Sequence, residues 1–122
     1  MGDISSEMAT ENTSILKNLK IKLSVCNRIT KEVAYYKKEA VENQNIVSQL
    51  TLEGADEWKL KQPTMCVEES YAMIPESETR LQFGIDDLYS YLIKIDEDNI
   101  LSDGEGLKLK QEAEALLSKN NF

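Results

Sequence analysis

The chain contains no histidine, which removes the commonest general base, the usual catalytic triads and most metal sites. Glycine is scarce, at five residues, and no G-x-x-x-x-G-K or G-x-G-x-x-G pattern can be read, so there is no candidate loop to cradle a phosphate. The two cysteines, Cys26 and Cys66, make neither a C-x-x-C pair nor a larger framework, and no apolar signal segment opens the chain; the expectation is a reducing, cytoplasmic setting. No apolar run approaches the roughly 18 to 20 residues of a membrane span. Together these absences argue against an enzyme, a bound cofactor or metal, a small-molecule substrate and a membrane partner. The opening M-G-D-I-S-S fits the myristoylation pattern formally, but its flank has Asp3 and Glu7 and no basic residue, and one acyl chain anchors weakly. Residues 1–11 read instead as a disordered tail.

What is present is charge, unevenly spread. The net charge is −8. Yet between Ile15 and Ala40 seven basic residues face two acidic ones, a local +5 that leaves −13 for the remainder. A chain this acidic does not suit nucleic acid, so the basic segment reads as a protein-facing patch or a solvated face.

A seven-residue repeat organises the rest. From Ile15, steps of four and three reach Leu19, Lys22, Cys26, Ile29, Val33, Tyr36, Ala40, Asn43, Val47 and Leu50, a seam broken only by Lys22 and Asn43. It predicts a first helix over about 12–52, stopped by Gly54, with Asp56 capping the next. The second repeat is stricter: Leu60, Val67, Ile74, Leu81, Leu88 and Ile95 fall seven apart. Beside it run a small row (Pro63, Ser70, Ser77, Gly84, Tyr91) and a mixed one (Thr64, Tyr71, Glu78, Ile85, Leu92). This second helix is predicted over about 56–98, with Trp58 closing the end of the core. Ser102 and Glu105 make an S-x-x-E capping box for a third, over about 103–118, whose first turn Gly104 and Gly106 weaken. The acidic "DEDNILSDGEG" does not have EF-hand spacing. Two long helices joined by a short turn must be antiparallel. The fold expected over 12–119 is an all-α, elongated, left-handed antiparallel three-helix bundle with a shorter third helix.

Two prolines sit inside the second repeat. Each removes a helical hydrogen bond and crowds the preceding turn, at roughly 3 kcal/mol. Pro75 follows the buried-row Ile74 and so takes an outward position, where it lets the helix bend convex toward solvent; Pro63 adds to the bend.

Two outward surfaces qualify as partner-binding candidates. On the first helix, Lys17, Lys20, Ile21, Arg28, Lys31, Tyr35 and Lys38 interleave long cations with apolar groups a bundle does not need there. Such a surface attracts an acidic partner and then buries apolar area against it. On the second helix, Glu69, Tyr71, Met73, Glu76, Arg80 and Phe83 form another, of which Tyr71 and Met73 equally suit core packing and Phe83 is the exposed anchor. The cysteines read as small buried hydrophobes.

Several motifs carry a family resemblance: L-K-I-K at 19–22, R-I-x-K-E at 28–32, Y-x-K-E-A at 36–40, and E-S-x-x-M-I-P at 69–75 with Arg80 and Leu81 beyond. In this order and spacing, over about 16–98, the chain resembles the tubulin-binding cofactor A family, also called tubulin-specific chaperone A. It departs from the family pattern at Tyr71, where a basic residue is common, at Pro63, where a helix former is usual, and in a longer segment before Ser14. The resemblance implies a cytoplasmic, cytoskeleton-associated three-helix chaperone that captures β-tubulin without nucleotide or metal. Because tubulin is acidic, it favours the basic stripe as a contact. The other reading is a bundle adaptor or scaffold for another coiled coil, in trafficking or cytoskeletal attachment. Monomer and homodimer are both compatible with these rows.

Overall fold

The computed structural model describes residues 2–96 and 104–120, and the side chains of 13–95 and 104–120. Among these the architecture is all-α, with α1 over Gly2–Leu52, α2 over Glu57–Asp96 and α3 over Gly104–Lys119. The first helix begins at Gly2 rather than near Asn12, so the stretch expected as a tail has helical backbone. No proline interrupts 2–11, and Asp3 and Glu7 suit the positive end of the helix dipole. Ser102 lies outside the described residues, as does most of the acidic segment 96–106. Glu105 forms an ion pair with Lys20.

The α1–α2 turn follows from its sequence. Gly54 takes φ 80°, the left-handed conformation glycine adopts without a Cβ penalty. Gly54 N donates to Thr51 O at 3.1 Å and Ala55 N to Leu50 O at 3.0 Å, the paired bonds of a Schellman stop. Asp56 Oδ1 then accepts from Lys59 N at 3.0 Å and caps α2.

The chain forms two compact units. One comprises residues 28–81, a hairpin of α1 and α2 alone. Ile29, Val33, Ala40, Ser70, Ser77 and Leu81 are buried in it. Its helices run antiparallel: Glu32 meets Arg80, Lys37 meets Glu78 and Asn43 meets Ser70. Pro63 and Pro75 both lie inside unbroken α2, and Pro75 is exposed, as its outward position required.

The other unit comprises residues 1–27 and 82–122 and includes α3. Leu19, Leu23 and Cys26 of α1, Ile85, Leu88, Leu92 and Ile95 of α2, and Leu109, Ala113 and Leu117 of α3 are its core. The small row serves close packing: a Cβ at Gly84 would stand 3.4 Å from Cys26 Sγ. Lys22 Nζ lies 2.6 Å from Asp87 Oδ2 and 5.1 Å from the centre of the Tyr91 ring. The Tyr91 hydroxyl donates to Ile15 O at 3.2 Å.

With Ile15 placed at heptad position d and Leu60 at a, the row at e explains why the units differ. In the three-helix unit the e residues Leu23, Ile85 and Leu92 are buried. In the hairpin the e residues Lys37, Thr64, Tyr71 and Glu78 are exposed. A third helix needs apolar side chains on its neighbours' flanks, and in the e row, Tyr71 apart, the sequence supplies them in the unit that has one.

Candidate functional site

The hairpin unit presents the clearest site. On α1, Arg28, Lys31, Tyr35 and Lys38 follow at steps of three, four and three, which keeps them on one helix face. All four are exposed. Tyr35 stands 60% accessible, with its ring edge-on to Tyr36 at 5.5 Å between centroids. Its hydroxyl donates to the Glu39 carboxylate one turn on, and this bond together with the carboxylate's charge raises the phenol above its ordinary pKa. The phenol is therefore neutral at physiological pH, an amphipathic ring among cations. Lys38 Nζ approaches Glu42 Oε1 only to 3.9 Å, a loose pair that leaves the ammonium available.

The other sequence candidates in this unit divide. Glu69 and Glu76 are exposed on α2. Tyr71 is 49% accessible rather than packed, and Met73 is half-buried. Arg80 is committed inside the hairpin: its Nη2 lies 3.0 Å from Glu32 Oε2. That oxygen is buried and has no hydrogen bond of good geometry, so the Arg80 charge is what compensates it.

Lys17, Lys20, Ile21 and Phe83 belong to the three-helix unit. Lys17 and Ile21 are exposed there, while Lys20 is occupied by Glu105. Phe83 is 70% accessible, as an outward anchor would be. In the same unit burial pushes the Cys26 thiol pKa up; the Asp87 charge adds to this and Lys22 works against it. Cys26 is a core residue, not a nucleophile.

Trp58 corrects a sequence expectation. It does not close the core but stands 83% accessible, near Leu52 in the sequence across the turn, which is equally exposed. The register carried the signal: Trp58 precedes the buried-row Leu60 by two residues, and a helix turns about 200° over that step. Met65, seven residues on and also exposed, repeats the position.

Among the described residues no cluster of acidic or cysteine side chains could hold a metal ion, and no helix is long and apolar enough to cross a membrane. What the hairpin offers is an elongated convex helix face, suited to a macromolecular surface.

Comparison with known proteins points the same way. The family model described as "Tubulin binding cofactor A" matches residues 14–117. "Tubulin-folding cofactor A" of Arabidopsis thaliana is 39% identical over 82 residues, covering 67% of this chain and 73% of its own. "Tubulin-specific chaperone A" of Gallus gallus is 32% identical over 77 residues, 63% of this chain and 71% of its own. Among solved structures, that of tubulin folding cofactor A from Arabidopsis thaliana superposes with a TM-score of 0.70 at 31% identity, over 85% of this chain and 96% of that one. Human tubulin chaperone cofactor a gives 0.65 over 84% and 97%; at 24% identity it supports the fold alone.

Proposed function

The chain belongs to the tubulin binding cofactor A family, and from that membership we propose that it binds β-tubulin, as a folding intermediate or a released subunit, in the pathway that follows the chaperonin. It acts by holding, not by chemistry, in the cytoplasm and alongside the cytoskeleton. The observation that carries the reading to a surface is the α1 stripe of the hairpin, where Arg28, Lys31 and Lys38 surround an exposed Tyr35. Cations of this kind steer an acidic partner into place, and their aliphatic stems with the tyrosine ring supply apolar area once it docks.

The test is a sizing and titration experiment with purified β-tubulin. Wild type is expected to form a saturable complex that weakens with salt. Arg28→Glu with Lys31→Glu is expected to lower affinity at least tenfold, to flatten the salt dependence and to leave helicity unchanged. No complex with the wild type sinks the reading; an unaltered affinity in the double variant moves the contact off this stripe.

A further inference from the structure

The hairpin has a second exposed surface that the basic stripe does not use. Along an outward face of α2 a groove of about 640 Å³ is lined by Trp58, Lys61, Thr64 and Met65, together with Glu57 and Glu68. Tyr71, 49% accessible, continues the row of Thr64 along one side of that face. Hairpin packing needs none of them, since the seam between the helices is filled by residues as small as Ala40, Ser70 and Ser77. A tryptophan and a methionine left in water forgo a large burial energy. These are also the residue types that dominate binding hot spots and adaptable helix grooves.

The shape and charge of the flank say what fits it. From Trp58 to Tyr71 it runs thirteen residues of α2, roughly 20 Å, the length of about four helical turns. Its Thr64 and Tyr71 stand at e, the row that α3 covers through Leu23, Ile85 and Leu92 in the three-helix unit, while Trp58 and Met65 stand beside that row at f. Glu57 and Glu68 form no ion pair among the described residues, and they outnumber Lys61, so the flank is acidic. That balance opposes an anionic lipid surface or nucleic acid and favours a cationic protein segment.

We infer that the Trp58–Tyr71 flank is a docking surface for a single amphipathic helix of a partner protein, apolar along one stripe and basic beside it. It is opposite in charge to the α1 stripe, so the hairpin grips by two chemistries. The inference does not depend on the partner being tubulin.

Trp58 is the chain's one tryptophan, and its emission reads the site directly. The probe is a tryptophan-free, tyrosine-free peptide of 18 residues, with leucine at helical spacing and lysine elsewhere; its control replaces every lysine with glutamate. The full chain titrated with the lysine peptide is expected to give a saturable blue shift of Trp58 emission, and with the glutamate peptide none. Met65→Ser and Glu68→Lys, both at exposed positions, are each expected to weaken the response at least tenfold with circular dichroism unchanged. The inference is overturned by no shift, by equal responses to both peptides, or by variants that bind like wild type. Emission that shifts on dilution of the chain alone, with a matching change in mass, also overturns it, because a second copy would then be the occupant.

Discussion

Asn43 Nδ2 donates to Ser70 Oγ at 2.9 Å, joining α1 to α2 at the middle of the hairpin. The Ser70 hydroxyl in turn donates to Cys66 O at 2.9 Å, so both side chains are satisfied in a part-buried site. Asn43 is the polar interruption of the α1 seam within the hairpin, and a part-buried polar pair at such a position fixes register at some cost in stability. Asn43→Ala is expected to destabilise the chain by about 1 kcal/mol. In a double-mutant cycle with Ser70→Ala, measured by urea unfolding, the two changes should be less than additive; full additivity would mean that the bond contributes nothing.

Arg80 and Glu32 give a second expectation. Because Glu32 Oε2 is buried and faces Arg80 Nη2 at 3.0 Å, removing the cation leaves a carboxylate oxygen uncompensated. Arg80→Met should cost about 1 kcal/mol, the lower end for such a loss since both side chains are partly exposed. Glu32→Gln in the Arg80→Met background should restore part of it. Hydrogen exchange within 28–81 is the suitable readout. A variant that loses partner affinity with unchanged exchange would instead return Arg80 to the binding surface.

The a and d rows were legible because an antiparallel hairpin turns them inward: Leu19, Ile29, Val33, Leu81 and Leu88 are buried where the repeat put them, while toward the turn Leu50, Leu60, Val67 and Ile74 are half-buried. The change at e, from Thr64, Tyr71 and Glu78 to Ile85 and Leu92, was also on the page. Its meaning, a third helix over one unit only, depends on where α3 packs. Trp58 was misplaced because its size argued for burial and its register against it; register prevailed. The ion pairs were hidden for another reason. Which flank residue of α1 meets which of α2 is set by the turn at Gly54, and a displacement of one residue would give Arg80 a different partner. The helical start at Gly2 was obscured because upstream of Ile15 the seam passes through Asn12, Met8 and Ser5, and two polar residues out of three read as the end of a repeat.

Cys26 links stability to pH. Its thiol pKa is raised in the folded chain, chiefly by burial, so the native state holds the proton more tightly than the unfolded one. That contribution is fully present below the unfolded thiol's pKa of about 8.5. It is lost as pH rises from there through the folded value. Unfolding free energy should therefore fall more steeply between pH 8 and pH 10.5 in wild type than in Cys26→Ala; parallel curves would refute the linkage. Gly84 tests the same contact from the other side. With only 3.4 Å between a new Cβ and Cys26 Sγ, Gly84→Ala gains about 1 kcal/mol of helix propensity against a tight contact and should be near neutral. Gly84→Ile should lose about 1 to 3 kcal/mol by overpacking, and Cys26→Ala should recover part of that loss.

Pro75 interrupts hydrogen bonding in α2 without interrupting the helix. Lacking an N–H, it leaves the carbonyl of Tyr71 without its helical donor, and Tyr71 is exposed enough for water to serve. The Thr79 hydroxyl donates to Pro75 O at 2.9 Å, a back-bond of the kind that favours helix bending. Pro75→Ala restores the missing backbone donor and removes the ring's clash, up to about 3 kcal/mol. Against this stands about 0.4 to 1 kcal/mol from the freer unfolded chain. The expected net is a stabilisation of about 1 to 2 kcal/mol, visible as a higher urea midpoint at unchanged m-value. If the proline serves only to let α2 curve, affinity for β-tubulin should stay within about twofold. If instead it turns Met73 and Glu76 toward a partner, the variant should be more stable and bind at least tenfold more weakly. Measuring both quantities on one variant separates the two, because a helix that merely straightens cannot gain stability and lose its partner unless the bend is part of the surface.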